Sequence, residues 1–427
     1  MPRRTYALIL FSLLLAACVN FAAPSDSLDA VARDYVRTQL AIGEKEEGYI
    51  DAYYGPEPLR SEARAIAATE GLPQLARRVA ALQARVAALR VAEPRRAAFL
   101  EAQLTAAATR LRMLQGERLP FVAEAQGLFG VRPDIQPLSR YDPVLARIEA
   151  LVPGDGALSD RVEAFQNRFT IRRSRLEDVF RNAIAACRTA TLRHITLPPN
   201  ERFNLGFVTG KSWSGYNYYL GDYQSRIEIN TDLPIRISRA IDLGCHEGYP
   251  GHHVLNVLLE ERLVRGKGWV EYSVYPLYSP QSLIAEGTAN YGIDLAFPGE
   301  RKLRYETAVL YPLAGLSTED AERFDRLQTA LRDLQGARKT IAQQFLDGQI
   351  SEEEAVRLTQ RYQLVGEARA RQSVNFTKQY RSYVINYGLG RDMVAADIER
   401  FPDEKARWQR MEQLISEPTL PSDLVSR

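Results

Sequence analysis

Histidine is nearly missing from this 427-residue chain, which has only four. Three of them, His246, His252 and His253, nonetheless fall within the nine residues CHEGYPGHH at 245–253. Cysteine is almost as scarce, with three in all. With Cys18 set aside in the N-terminal segment, Cys187 and Cys245 could pair in an oxidising compartment, but two thiols make no disulfide framework. A charge excess of either sign is also missing. The formal net charge is +2, and removing residues 1–17, which hold Arg3, Arg4 and no acid, leaves the chain close to neutral. That balance argues against a nucleic-acid or polyanion binder. The apolar run ALILFSLLLAA at 7–17 falls well short of the ~20 residues a spanning helix needs. A complete phosphate loop is missing too. GFVTGKS at 206–212 is one residue short of G-x-x-x-x-G-K-[ST] and cannot present the same row of backbone donors.

What is present begins with a leader. MPRR followed by the apolar run fits a secretory signal, and LAAC ending at Cys18 looks like a bacterial lipobox. In that reading residues 1–17 are removed and Cys18 is acylated, so acyl chains supply membrane affinity without a spanning helix. Val19 and Asn20 lack the aspartate associated with inner-membrane retention, which points to the outer membrane, facing the periplasm. The alternative is an ordinary cleaved signal with an incidental cysteine.

The remaining chain, roughly 410 residues, suffices for one large domain or two fused ones. The expectation is an N-terminal helical part over 25–150 and a second part over 151–427, forming one continuous globular unit. DSLDAVARDYVRTQL places Leu28, Val31, Ala32, Tyr35, Val36 and Leu40 on one helix face, with Asp26 positioned to cap. AYYGPEP reads as a turn. Between Leu72 and Leu114, two Ala-, Leu- and Arg-rich segments broken at AEPRR predict an antiparallel helical hairpin, its seam at Leu75, Val79, Leu82, Val86 and Leu89. Four prolines in 131–157 suggest a linker or an ordered crossing loop, and a single amphipathic helix is expected over roughly 158–190. Strand character is confined to RFNLGFVTG, SGYNYYLG and SRIEINTDLP. Beyond the histidine cluster the pattern is helical again, with capping-box spacing at Ser317/Asp320 and Ser351/Glu354. The fold class is mainly α around a small sheet.

The histidine cluster carries the chemistry. In H-E-x-x-H, two histidines one turn apart reach one zinc ion while the glutamate faces its water. Here the fourth position after His246 is Pro250, which cannot be a ligand. Only an interrupted or bulged helix at Pro250-Gly251 could return His252 towards His246, because six residues on a regular helix point the rings to different faces. A third ligand is offered by Glu286 in LIAEGTANYGIDLAF, an acid amid apolar neighbours that needs a partner if buried.

HEGYPGHH, AEGTANY, YVINYGLG and YIDAYYGP together resemble the bacterial family called domain of unknown function 885, many of whose members carry lipoprotein signals. The resemblance covers nearly the whole mature chain. It implies a gluzincin-like helical metallopeptidase fold with a small β-sheet beside the active-site helix. It assigns His246, His252 and Glu286 as ligands of one zinc ion and Glu247 as the base. It also offers Tyr383 and Tyr387 as donors to a developing oxyanion, with Tyr249 a further candidate by proximity. His253 is read as second to the ligands or facing substrate, and the choice between His252 and His253 stays open. The chemistry expected of such a set is attack of metal-bound water, activated by Glu247, on a peptide carbonyl. SRIEINTDLP could serve as an edge strand that pairs with an extended peptide. The expected function is a zinc-dependent peptidase or amidase at the cell envelope. Its rivals are a catalytically idle lipid-anchored protein that binds peptides or envelope components in the same cleft, and a hydrolase of non-peptide amides or esters.

Overall fold

The computed structural model describes residues 26–91 and 93–424; the leader and Cys18 lie outside the described residues. Helix α1 (Leu28–Gly43) buries the expected face. Its cap is not Asp26 but Ser27, whose Oγ accepts from Ala30 N at 3.2 Å. Asp26 pairs instead with Arg85 at 2.7 Å. Strand β1 (Ile50–Tyr53) occupies part of what reads locally as a turn. It pairs antiparallel with a distant last strand, β5 (Val274–Pro276), and a local pattern cannot announce so remote a partner.

The predicted hairpin forms from α2 (Leu72–Leu89) and α3 (Pro94–Leu114), with Leu75, Val79, Leu82 and Val86 buried along its seam. Pro94 opens α3, a position where a missing N–H costs nothing. The proline-rich stretch is more ordered than a linker: it holds a 3-10 turn at Leu138–Tyr141 and a helix at Asp142–Leu151. The single helix expected over 158–190 is two, Leu158–Asn167 and α4 (Leu176–Leu192).

Strands β2 (Arg202–Val208), β3 (Gly215–Gly221) and β4 (Gln224–Asn230) form a sheet of order β2-β4-β3, with β2 parallel and β3 antiparallel to β4. The segment expected to be an edge, SRIEINTDLP, is therefore the central strand. Both its sides are already paired, so a peptide cannot add to it; the edges are β2 and β3.

Below the sheet lie α5 (Ser238–Leu243), α6 (His252–Leu259) and α7 (Pro280–Ala296). Farther along come α8 (Gln335–Leu346) and α9 (Ile385–Ile398). Helices α7 and α9 touch backbone to backbone, since a Cβ on Gly287 would stand 2.6 Å from Gly390 O. Ser351 caps its helix by accepting from Glu354 N at 3.1 Å. Ser317 does not; the helix Ala321–Arg332 starts after Asp320 without a side-chain cap. One cluster of buried apolar side chains runs from Leu28 to Leu424. The architecture is mainly α with two small sheets.

Candidate metal centre

Helix α5 runs into a π-helical turn at Gly244–Gly248 that carries His246 and Glu247, and α6 begins at His252. Such turns recur at functional sites because they re-aim side chains. Between the two elements the Tyr249–Pro250 bond is cis, and Gly251 N returns to Cys245 O at 3.1 Å. A Cβ on Gly251 would lie 1.8 Å from His246 O, so only glycine allows the chain to double back there. The two histidines consequently meet, their Nε2 atoms 3.1 Å apart and their rings nearly perpendicular at 88°. Two ties fix the turn. Asn217 of β3 donates to Glu247 O at 2.7 Å, and Cys187 of α4 is disulfide-bonded to Cys245.

Glu286 arrives from the middle of α7 and is 5% exposed. Its Oε1 accepts from the Tyr383 hydroxyl at 2.8 Å. Its Oε2 lies 3.3 Å from His246 Nε2 yet makes no hydrogen bond, and Oε1 is 3.8 Å from His252 Nε2. His246, His252 and Glu286 can thus offer one ligand atom each, all within 4.8 Å of one another.

These residues fit a zinc ion. Vertices of a tetrahedron with bonds of about 2.0–2.1 Å stand roughly 3.3–3.4 Å apart; the two imidazole nitrogens at 3.1 Å and the His246–Glu286 Oε2 pair at 3.3 Å lie close to that value, while His252 is 3.8 Å from the other carboxylate oxygen, Oε1. Two imidazole nitrogens with one carboxylate oxygen also form a donor set typical of a zinc that keeps an open position. The orphaned Glu286 oxygen is the kind of buried acceptor that a cation would satisfy.

Charge in the cluster is strongly redistributed. Burial pushes Glu247 up to about 7, and the nearby Glu286 and Asp51 carboxylates add to it against His246. Burial pushes His252 down to about 4, helped by the His246 charge. For Glu286 burial acts in the opposite direction, but His246, His252 and Tyr383 together hold it below the usual carboxylate value. The Glu247 carboxylate, in a residue 4% exposed, makes no hydrogen bond or ion pair among the described residues, although its backbone is held by Asn217.

The remaining expected site residues separate. His253 does not face a substrate: it is fully buried, with Nδ1 2.8 Å from Ser225 Oγ and Nε2 2.9 Å from Glu201 Oε2. Tyr249 is equally committed, its hydroxyl donating to Glu201 Oε2 at 2.6 Å. Adjacent positions on a helix point about 100° apart, so His252 turns to the cluster and His253 to the sheet. Tyr383, expected to steady a reacting oxygen, spends its hydroxyl on Glu286. Tyr387 remains free: its hydroxyl has no partner among the described residues. Burial pushes it well up, and the charges of Glu286 and Glu247 add to that.

Sequence reasoning missed Glu201 and Asp51. Glu201 draws His253, Tyr249 and Arg188 together; burial opposes its charge, yet those partners push it down to about 2. Nothing in LPPNERF marks it. Asp51 of β1 accepts from the Tyr216 hydroxyl, and burial, with the Glu286 charge, pushes it up to about 6 despite that bond. A lone acid within the aromatic run YIDAYY was the available signal.

The fold and the site together define a mainly helical frame around a His-His-Glu cluster. No protein-family model matches the chain, and no curated protein does. Among solved structures, it is similar to the crystal structure of a candidate lipoprotein from Colwellia psychrerythraea. The TM-score is 0.50 at 14% identity, over 85% of this chain and 68% of that one. A second, a crystal structure of a protein called BsuCP, aligns over 92% of this chain and 88% of its own, with 12% identity and a TM-score of 0.38. That likeness is too weak to weigh, and the first speaks for the fold alone.

Proposed function

We propose that the chain is a zinc-dependent hydrolase of peptides or small amides, of the gluzincin-like kind, anchored at the cell envelope by lipid on Cys18. The observation that carries this reading is the convergence of His246, His252 and Glu286 beside an unpartnered Glu247. A zinc ion held by those three would act as a Lewis acid and lower the pKa of a coordinated water to about 7. Glu247 takes the proton from the attacking water and passes it to the leaving amine, which its open, unpaired carboxylate suits it to do. Tyr383 keeps the Glu286 carboxylate oriented through the 2.8 Å hydrogen bond, an outer-shell role that usually tunes metal affinity. Tyr387 donates its free hydroxyl to the carbonyl oxygen as negative charge grows there. The free edge nearest Glu247 is β3, whose Asn217 already contacts its backbone.

The envelope location is supported by the lipobox-like leader ending at Cys18. No helix among the described residues is long and apolar enough to cross a membrane.

The discriminating experiment is Glu247→Gln in the mature protein, with zinc content and cleavage of a peptide library both measured. Zinc should remain near one equivalent while hydrolysis falls at least about a hundredfold, the usual worth of a general base. A wild type that holds zinc but cleaves nothing in the library would transfer the reading to a peptide-binding lipoprotein.

A further inference from the structure

Buried arginines in this protein are paired with acids almost everywhere. Arg96 meets Glu271 at 2.5 Å and Arg110 meets Glu46. The half-buried Arg338 on α8 departs from that pattern. Its Nε is buried without a partner, and the guanidinium makes no hydrogen bond or ion pair among the described residues. Two aromatic rings flank it, with the guanidinium carbon 5.3 Å from the Phe376 centroid and 5.7 Å from that of Tyr387. Burial pushes Arg338 down, and no carboxylate is close enough to offset the loss. Cation–π contact with the two rings offsets only part of what the guanidinium loses in hydration.

Its position relative to the candidate centre gives that unpaired charge a meaning. Tyr387 stands between them, its ring 5.9 Å from that of Tyr383, whose hydroxyl rests on Glu286. Going outward from the ligands, the order is Glu286, the two tyrosines, then Arg338. The acids Glu247, Glu286 and Asp51 occupy the inner end, where a held zinc ion would share their charge, whereas the positive charge of Arg338 has no acid beside it.

We propose that Arg338, beside the Tyr387 hydroxyl, receives a carboxylate of the substrate, so that the substrates are peptides or N-acyl amino acids bearing a free carboxyl group near the bond to be cut. The planar guanidinium offers paired N–H donors matched to the two oxygens of a carboxylate, which a point-charge ammonium does not. A partly desolvated site with aromatic walls strengthens the pairing. The inference rests on the hydrolase reading for the cutting step, but the binding it describes does not need that step.

The test uses the mature zinc-loaded chain and a pool of N-acetylated tripeptides prepared twice, as free acids and as C-terminal amides. Cleavage is followed by mass spectrometry, and binding by fluorescence anisotropy of labelled copies of both pools. The acids should bind and react preferentially. Arg338→Gln should raise KM for the acids by about ten- to a hundredfold, the worth of a hydrogen-bonded ionic contact, with a smaller change in kcat. The acid-to-amide ratio should fall towards one, and Arg338→Lys should restore only part of it. Circular dichroism separates these effects from misfolding. If the acids bind preferentially and lose that preference in Arg338→Gln while nothing is cleaved, the carboxylate site stands and the hydrolase reading falls. If acids and amides are cut or bound alike, or the ratio survives the substitution, Arg338 is structural and the proposal is overturned.

Discussion

Glu306 shows how a single buried acid ties stability to pH in this protein. It is 3% exposed, its Oε1 has no hydrogen-bond partner, and Lys302 Nζ is 3.9 Å away. Burial pushes it up to about 7 from 4.5, with Lys302 only partly offsetting the effect. A carboxyl raised on folding contributes its full stability below the unfolded value and loses it as pH rises through the folded one. Wild type should therefore weaken by up to about 3 kcal/mol between pH 4.5 and 8 relative to Glu306→Gln. Urea titrations at pH 5 and pH 8 check this, and an equal gap between the two proteins at both pH values would refute it. At this scale the sequence was partly readable. The pairing of His246 with His252 and the lone Glu286 stood out because scarce residue types occupied odd places. Glu201 and Arg338 did not, since an acid and an arginine in ordinary contexts acquire significance only from partners supplied, or withheld, by remote segments.

Elements with an internal period were the most legible. The α2–α3 hairpin and the three strands at 202–230 follow from apolar spacing and β-branched composition. The order of those strands did not follow, because chain order places β4 last while hydrogen bonding places it in the middle. The π-turn is a further case: PG marked an interruption, but its direction depends on what holds it. The disulfide joins that turn to α4 across 58 positions, and in the chain-entropy account a loop of that length is worth about 4 kcal/mol. Replacing Cys187 and Cys245 by serine should lower the melting temperature by several degrees and weaken zinc retention, since Cys245 precedes the proposed ligand His246. Calorimetry and metal analysis of the double variant would show it; unchanged zinc content would mean that the turn is self-supporting.

For the molecule as a whole, the apolar cluster from Leu28 to Leu424 makes the described chain cohere, and the proposed tie to a membrane rests on Cys18. Cys18→Ser should move the protein from the membrane fraction to the soluble one without changing the folded part, because one acyl chain alone gives weak attachment and two or more give firm attachment. Fractionation with mass determination of the mature N-terminus decides between the lipobox and the simple signal; persistence of Cys18→Ser in the membrane fraction would exclude the lipid.

Cys187 and Cys245 are both fully enclosed by the core. Neither an oxidant nor a reducing thiol can reach them once the surrounding helices have closed. Their union must accordingly come early, while the chain is still loose and an oxidant can reach both thiols. A copy that matured among cytosolic reductants would close over two free thiols and stay that way, carrying an unstrapped turn for the rest of its life.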